Sequence, residues 1–92
     1  MISLARKRPL SSSREQIKSA VLEDAIATAV KRSNPSCEAF IGVFVKRSAR
    51  SSLDDANWDV RGVQYGRAER ENCNAALSVI VDRLKREFEI SD

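Results

Sequence analysis

Histidine is absent from the 92 residues of the chain. The side chain that most often transfers protons near neutral pH and binds transition metals is therefore missing. A serine or cysteine nucleophile would also lack its usual base. We predict no catalytic residue, no cofactor and no enzymatic activity, and nothing in the sequence implies a small-molecule ligand.

Cysteine is nearly as scarce, because Cys37 and Cys73 are the only two. A secreted domain stabilised by disulfides normally has more. A zinc site would need further ligands, which neither histidine nor a third cysteine can supply. Both cysteines lie beside apolar positions, so we expect two buried, reduced thiols and no metal site.

Long apolar runs are missing as well. None approaches the roughly 20 residues that span a bilayer, and the first residues contain no apolar stretch typical of a signal peptide. The sequence therefore predicts a cytoplasmic protein without a membrane span.

The net charge of +3 is concentrated at the N-terminus. Residues 1–14 contain no acid and four basic side chains: Arg6, Lys7, Arg8 and Arg14. Of the 16 basic residues, 12 remain in residues 15–92, where they face 13 acids and give a net charge of −1. A domain that binds nucleic acid usually presents a basic face. We predict a disordered basic tail over residues 1–11 and one neutral domain over residues 12–92.

Two amphipathic helices are predicted from apolar residues that recur at steps of three and four. The first covers about residues 13–33, is capped by Ser12 or Ser13, and ends before Pro35. The second covers about residues 67–89, with Ile80 and Leu84 at the centre of the core. Its apolar positions are Cys73, Ala76, Leu77, Ile80, Val81, Leu84 and Phe88.

Two strands are predicted between the helices, near residues 38–47 and 57–65, because these segments are rich in β-branched and aromatic residues. A β-bulge near Gly62 would place Trp58, Val60, Val63 and Tyr65 on one face. The connecting residues 48–56, with the acidic segment 54–59, are typical of a solvated loop; a weak Mg²⁺ or Ca²⁺ site there stays open as an alternative. The predicted fold is α+β: a single small domain of order α-β-β-α, with two helices packed on one face of an antiparallel β-hairpin.

The first strand is apolar on both faces, which predicts a binding surface. Ile41, Val43 and Val45 alternate with Phe40 and Phe44. The helices can cover one face, and we expect Phe40 and Phe44 on the other to contact a second copy of the chain or another protein. The sequence therefore predicts a small non-catalytic binding domain of unknown role that forms a homodimer.

Nucleic-acid binding is the alternative hypothesis. Lys46, Arg47 and Arg50 cluster at the hairpin tip, and the four basic residues within residues 1–14 could add to them. The helix–hairpin–helix order resembles a double-stranded-RNA-binding domain, and residues 66–76 resemble the start of that family's last helix. The resemblance implies contacts with an RNA backbone. It departs from the family in lacking a third strand and in having Glu69 and Glu71 where the family has lysines.

Overall fold

Six regular elements and one 3-10 turn form from residues 14–49 and 55–92, the part of the chain that the computed structural model describes. They are β1 (Glu15–Ile17), α1 (Ser19–Ser33), the 3-10 turn (Pro35–Cys37), β2 (Gly42–Arg47), β3 (Trp58–Gln64), α2 (Arg70–Glu87) and β4 (Phe88–Ile90). The α+β class is confirmed. The predicted tail, with Arg6, Lys7 and Arg8, and the loop residue Arg50 lie outside the described residues.

The central hairpin pairs β2 and β3 antiparallel, as predicted. Phe44 lies opposite Gly62 and Val45 opposite Val60, so Arg61 is an extra residue on β3. The bulge predicted near Gly62 is therefore confirmed. It brings buried Trp58 and partly buried Val60, Val63 and Tyr65 into contact with the core.

The predicted start of the first helix, near residue 13, is wrong. Residues 15–17 form β1, which pairs parallel with β4 in the register Glu15–Phe88, Gln16–Glu89 and Ile17–Ile90. The helix α1 begins instead at Ser19, whose N–H and hydroxyl both donate to the carboxylate of Asp92, at 3.0 Å each. A cap from Asp92, 73 residues away, thus replaces the expected local serine cap.

The predicted end of the second helix is also corrected, because Phe88 belongs to β4. The hairpin contacts β4 through two side chains, Asn57 just before β3 and Trp58 at its start. The Asn57 amide donates to the Ile90 carbonyl at 3.0 Å and accepts from the Ile90 N–H at 2.9 Å. The Trp58 indole N–H donates to the Phe88 carbonyl at 3.1 Å. The strand β4 is therefore held between β1 on one side and the hairpin on the other.

The core lies between the two helices and the hairpin face that carries Val43, Val45 and Trp58. Leu84 is buried as predicted, and Ile80 packs against the core while partly exposed. The expected burial of both cysteines is confirmed. The remaining buried apolar residues are Leu22, Ile26, Ala27, Val30, Phe40, Leu77 and Ile90.

The predicted pairing of Phe40 with Phe44 on one outer face is wrong. Phe40 precedes β2 and donates its N–H to the Cys37 carbonyl, so its direction follows the turn and not the alternation of the strand. Its side chain is buried, and its ring packs edge-on against Tyr65 with 6.0 Å between centroids. Phe44 and Ile41 are the two exposed apolar side chains of this segment.

Candidate functional site

A shallow groove of about 290 Å³ separates α1 from β2. We call it the α1–β2 groove. Its lining residues are Ala20, Glu23, Asp24 and Ala27 of α1, together with Ile41, Gly42, Val43, Phe44 and Gln64 of the hairpin region. The groove combines an apolar floor with an acidic wall.

Phe44 is the aromatic residue of the floor, and 38% of its surface is exposed. Its ring lies over the backbone of Gly62, where a Cβ atom would be 3.6 Å from Phe44 Cδ2. The Arg61 guanidinium lies 5.1 Å from the ring centroid, a cation–π distance. The bulge therefore positions both the glycine and the arginine that hold this ring at the surface.

Ile41 extends the apolar floor, and 56% of its surface is exposed. Its side chain packs on Gly66, where a Cβ atom would be 2.9 Å from Ile41 Cγ1. Gly66 has a φ of +60°, which favours glycine. The absence of a side chain at position 66 thus leaves room for Ile41 in the floor of the groove.

The acidic wall is formed by Glu23 and Asp24 of α1. The Glu23 carboxylate accepts the N–H of Val45 at 2.9 Å and so satisfies one donor on the outer edge of β2. The hairpin carries positive charge close by, on Arg61 over the Phe44 ring and on Lys46 in the same strand as Phe44. Charges of both signs therefore border the exposed ring.

Three of the basic residues predicted to contact nucleic acid, Arg14, Lys46 and Arg47, lie in the described part of the chain. Arg14 donates from Nε to the Lys85 carbonyl at 2.6 Å, and Arg47 donates to the Asp92 carbonyl. These two side chains attach β1 and β2 to the end of α2 and the residues after β4. Lys46 is exposed and lies opposite Asp59 in the hairpin.

A second, polar cleft of about 330 Å³ lies where Arg14, the hairpin ends and α2 meet. Its charged lining residues are Arg14, Lys85, Arg86, Asp55, Asp59 and Asp82. Among the described residues, three cations and three carboxylates line this cleft. Among residues 14–49 and 55–92, no three cysteine or acidic side chains lie close enough to hold a metal ion.

Asp59 lies in β3, within the strand predicted near residues 57–65 and not in the solvated loop also expected for the acidic segment 54–59. Lys85 donates from Nζ to Asp59 Oδ1 at 2.9 Å and holds the pKa of Asp59 below its usual value. The same Nζ lies 5.9 Å from the Trp58 ring centroid. This carboxylate therefore links the hairpin to α2.

The sequence did not indicate Glu23, Asp24, Arg61 or Ile41 as parts of a site. Helical spacing places Glu23 and Asp24 on the side of the first helix opposite its apolar residues, and strand alternation predicts Ile41 on the covered face. The helical spacing gives each residue its side of α1, but the approach of α1 to the outer edge of β2 is a tertiary contact that spacing does not specify.

No family model matches the chain, and no curated protein or solved structure is significantly similar to it. The fold and the groove therefore define a class, a small α+β domain, without placing it in a family. Neither helix of the described segments is both long and apolar enough to cross a membrane.

Proposed function

We propose that the chain is a small, non-catalytic, cytoplasmic binding domain that forms a homodimer through the α1–β2 groove. The observation that carries this proposal is the exposed ring of Phe44. The other four aromatic residues, Phe40, Trp58, Tyr65 and Phe88, are buried or partly buried within the chain. Phe44 lies instead beside exposed Ile41, which makes one apolar surface at the floor of the groove.

Burial of the exposed part of Phe44 supplies only part of the free energy that a dimer needs. An aromatic side chain presents about 150–250 Å², so the exposed 38% of Phe44 corresponds to roughly 60–95 Å². At about 25 cal/mol per Å², burying it contributes about 2 kcal/mol per copy. Two rings give about 4 kcal/mol, whereas a micromolar dimer requires about 8 kcal/mol. Ile41 and the bordering charges must contribute the rest.

The charges favour a second copy as the partner. In a two-fold dimer the same surface meets itself, so a surface that carries both signs can be complementary to its own copy. Arg61 and Lys46 border the hairpin side of Phe44, and Glu23 and Asp24 border the helix side. A two-fold axis near Phe44 would place the cations of one copy opposite the carboxylates of the other.

Sedimentation velocity across about 1–100 µM tests the proposal. We expect the mass to rise from 10.3 kDa toward twice that value with concentration. Phe44→Glu should remain monomeric across the same range, because the charge would have to be buried in the interface. Val79→Glu is the matched control: Val79 is 71% exposed on α2 and lies outside the groove, so this variant should still dimerise.

Two results would contradict the proposal. One is a wild-type chain that stays monomeric at the highest concentration. The other is equal loss of the dimer in both glutamate variants. A monomer that binds a short RNA duplex at physiological salt would favour the nucleic-acid alternative instead.

A further inference from the structure

Cys37 and Cys73 bring two sulfur atoms together in the core. Cys37 ends the 3-10 turn, and Cys73 lies in the first turn of α2. The Cys73 thiol donates to the Cys37 sulfur across 2.9 Å, and both residues are completely buried. A disulfide bond is about 2.05 Å long, so an approach of about 0.9 Å separates this contact from a covalent bond.

The backbone around the two thiols is already held in place. Ser36, next to Cys37, accepts the Glu69 N–H on its carbonyl at 3.1 Å and the Asn72 amide on its hydroxyl at 2.9 Å. The Asn34 side chain accepts the Ser36 N–H at 2.9 Å. These bonds join the 3-10 turn to the start of α2, so the sulfurs can approach by side-chain rotation without separating the two elements.

We propose that Cys37 and Cys73 are a redox-modification site and form a reversible intramolecular disulfide bond. The oxidant is a small disulfide of the glutathione type, RSSR. One cysteine thiolate attacks RSSR, which gives a mixed disulfide and releases RSH. The second cysteine thiolate then attacks the mixed disulfide, the internal S–S bond forms, and a second RSH leaves. Two electrons and two protons pass from the protein to the reagent.

Burial decides when this exchange occurs. It raises the pKa of the Cys73 thiol to about 11, so little reactive thiolate exists at neutral pH in the folded domain. Exchange therefore requires local opening at the start of α2 or takes place during folding. Once formed, the bond can be reduced only through the same opening, and it closes a loop that contains the whole hairpin, which restricts the unfolded chain. This inference does not depend on the proposed dimer.

The experiment refolds the full chain from urea in buffers of reduced and oxidised glutathione at graded ratios. Remaining thiols are blocked with a maleimide, and the intact mass is measured. We expect oxidising buffers to give the mass of a single chain without label, about 2 Da lighter than the reduced chain. Its melting temperature should exceed that of the reduced chain by about 10 °C or more. Native reduced protein should react with oxidised glutathione at least about tenfold more slowly than protein in urea.

Cys37→Ala and Cys73→Ala are the controls, since each keeps a small apolar side chain but removes one sulfur. The melting temperature of each variant should not respond to the glutathione ratio. The proposal is overturned if both wild-type thiols accept label in the most oxidising buffer, if disulfides form only between chains, or if the chain with the internal disulfide melts no higher than the reduced chain. All three results come from the wild-type chain, so they stand even if an alanine variant fails to fold.

Discussion

Asn57→Ala provides the sharpest test of how the hairpin is joined to β4. The substitution removes a carboxamide that donates to and accepts from the backbone of Ile90, a residue with 4% of its surface exposed. Leaving a buried polar group without its partner costs about 1–3 kcal/mol. Both bonds are partly buried, so we expect a loss of about 2–4 kcal/mol in the free energy of unfolding.

Urea unfolding followed by Trp58 fluorescence measures this loss. Trp58 is the only tryptophan and is 1% exposed, so unfolding transfers it from the core to water. At about 1 kcal/mol per molar urea for a small domain, the midpoint should fall by about 2–4 M. Asn74→Ala is the control, because Asn74 is exposed and accepts a single bond from the Tyr65 hydroxyl. Its midpoint should change by less than about 1 M.

Asn57→Asp tests the direction of the two hydrogen bonds. A carboxylate can still accept the Ile90 N–H, but it would face the Ile90 carbonyl without a proton to donate. The folded state therefore raises the pKa of the new carboxyl above its unfolded value of about 3.9. Relative to wild type, the destabilisation should be small below about pH 4 and grow as the pH rises through the raised pKa. A pH-independent difference, or an Asn57→Ala midpoint equal to that of Asn74→Ala, would refute this account of the contact.

Two further substitutions probe the core and the charged contact on α2. Leu84→Ala should lower the free energy of unfolding by about 2–5 kcal/mol in urea titrations, because Leu84 is buried, whereas exposed Val79→Ala should change it by less than about 1 kcal/mol. Asp59→Asn should cost less than about 1 kcal/mol at pH 7, because the bond to Lys85 is half exposed. That cost should persist above about pH 4 and vanish as the pH falls through the pKa of Asp59, which lies below 3.8. An equal cost at pH 7 and at about pH 2.5 would contradict the role of the Asp59–Lys85 bond.

The elements with strong local signals could be predicted from the sequence. In α2 the apolar residues recur over four turns, and in the hairpin β-branched residues flank a glycine that permits the bulge. In both cases the residues that define the element are neighbours along the chain.

The segment β1 carried no comparable signal. Glu15, Gln16 and Ile17 follow two serines in a spacing that also fits a helix cap, and their strand partner is more than 70 residues away. The candidate site likewise depends on contacts that the local sequence does not specify. Exposure of Phe44 followed from its position in the strand, but burial of Phe40 followed from the turn before the strand, and the acidic wall followed from helix packing.

The parallel pairing of β1 with β4 also sets the order in which the domain can be completed during synthesis. Translation proceeds from the N-terminus, so residues 15–17 leave the ribosome long before residues 88–90 exist. The hairpin and α2 close shorter loops and can form first. Of the described strands, the earliest to be made can thus pair only after the latest has been made, and Ser19 gains its bonds to Asp92 at the same stage. Until then the nascent chain exposes the edge of β1 that later pairs with β4.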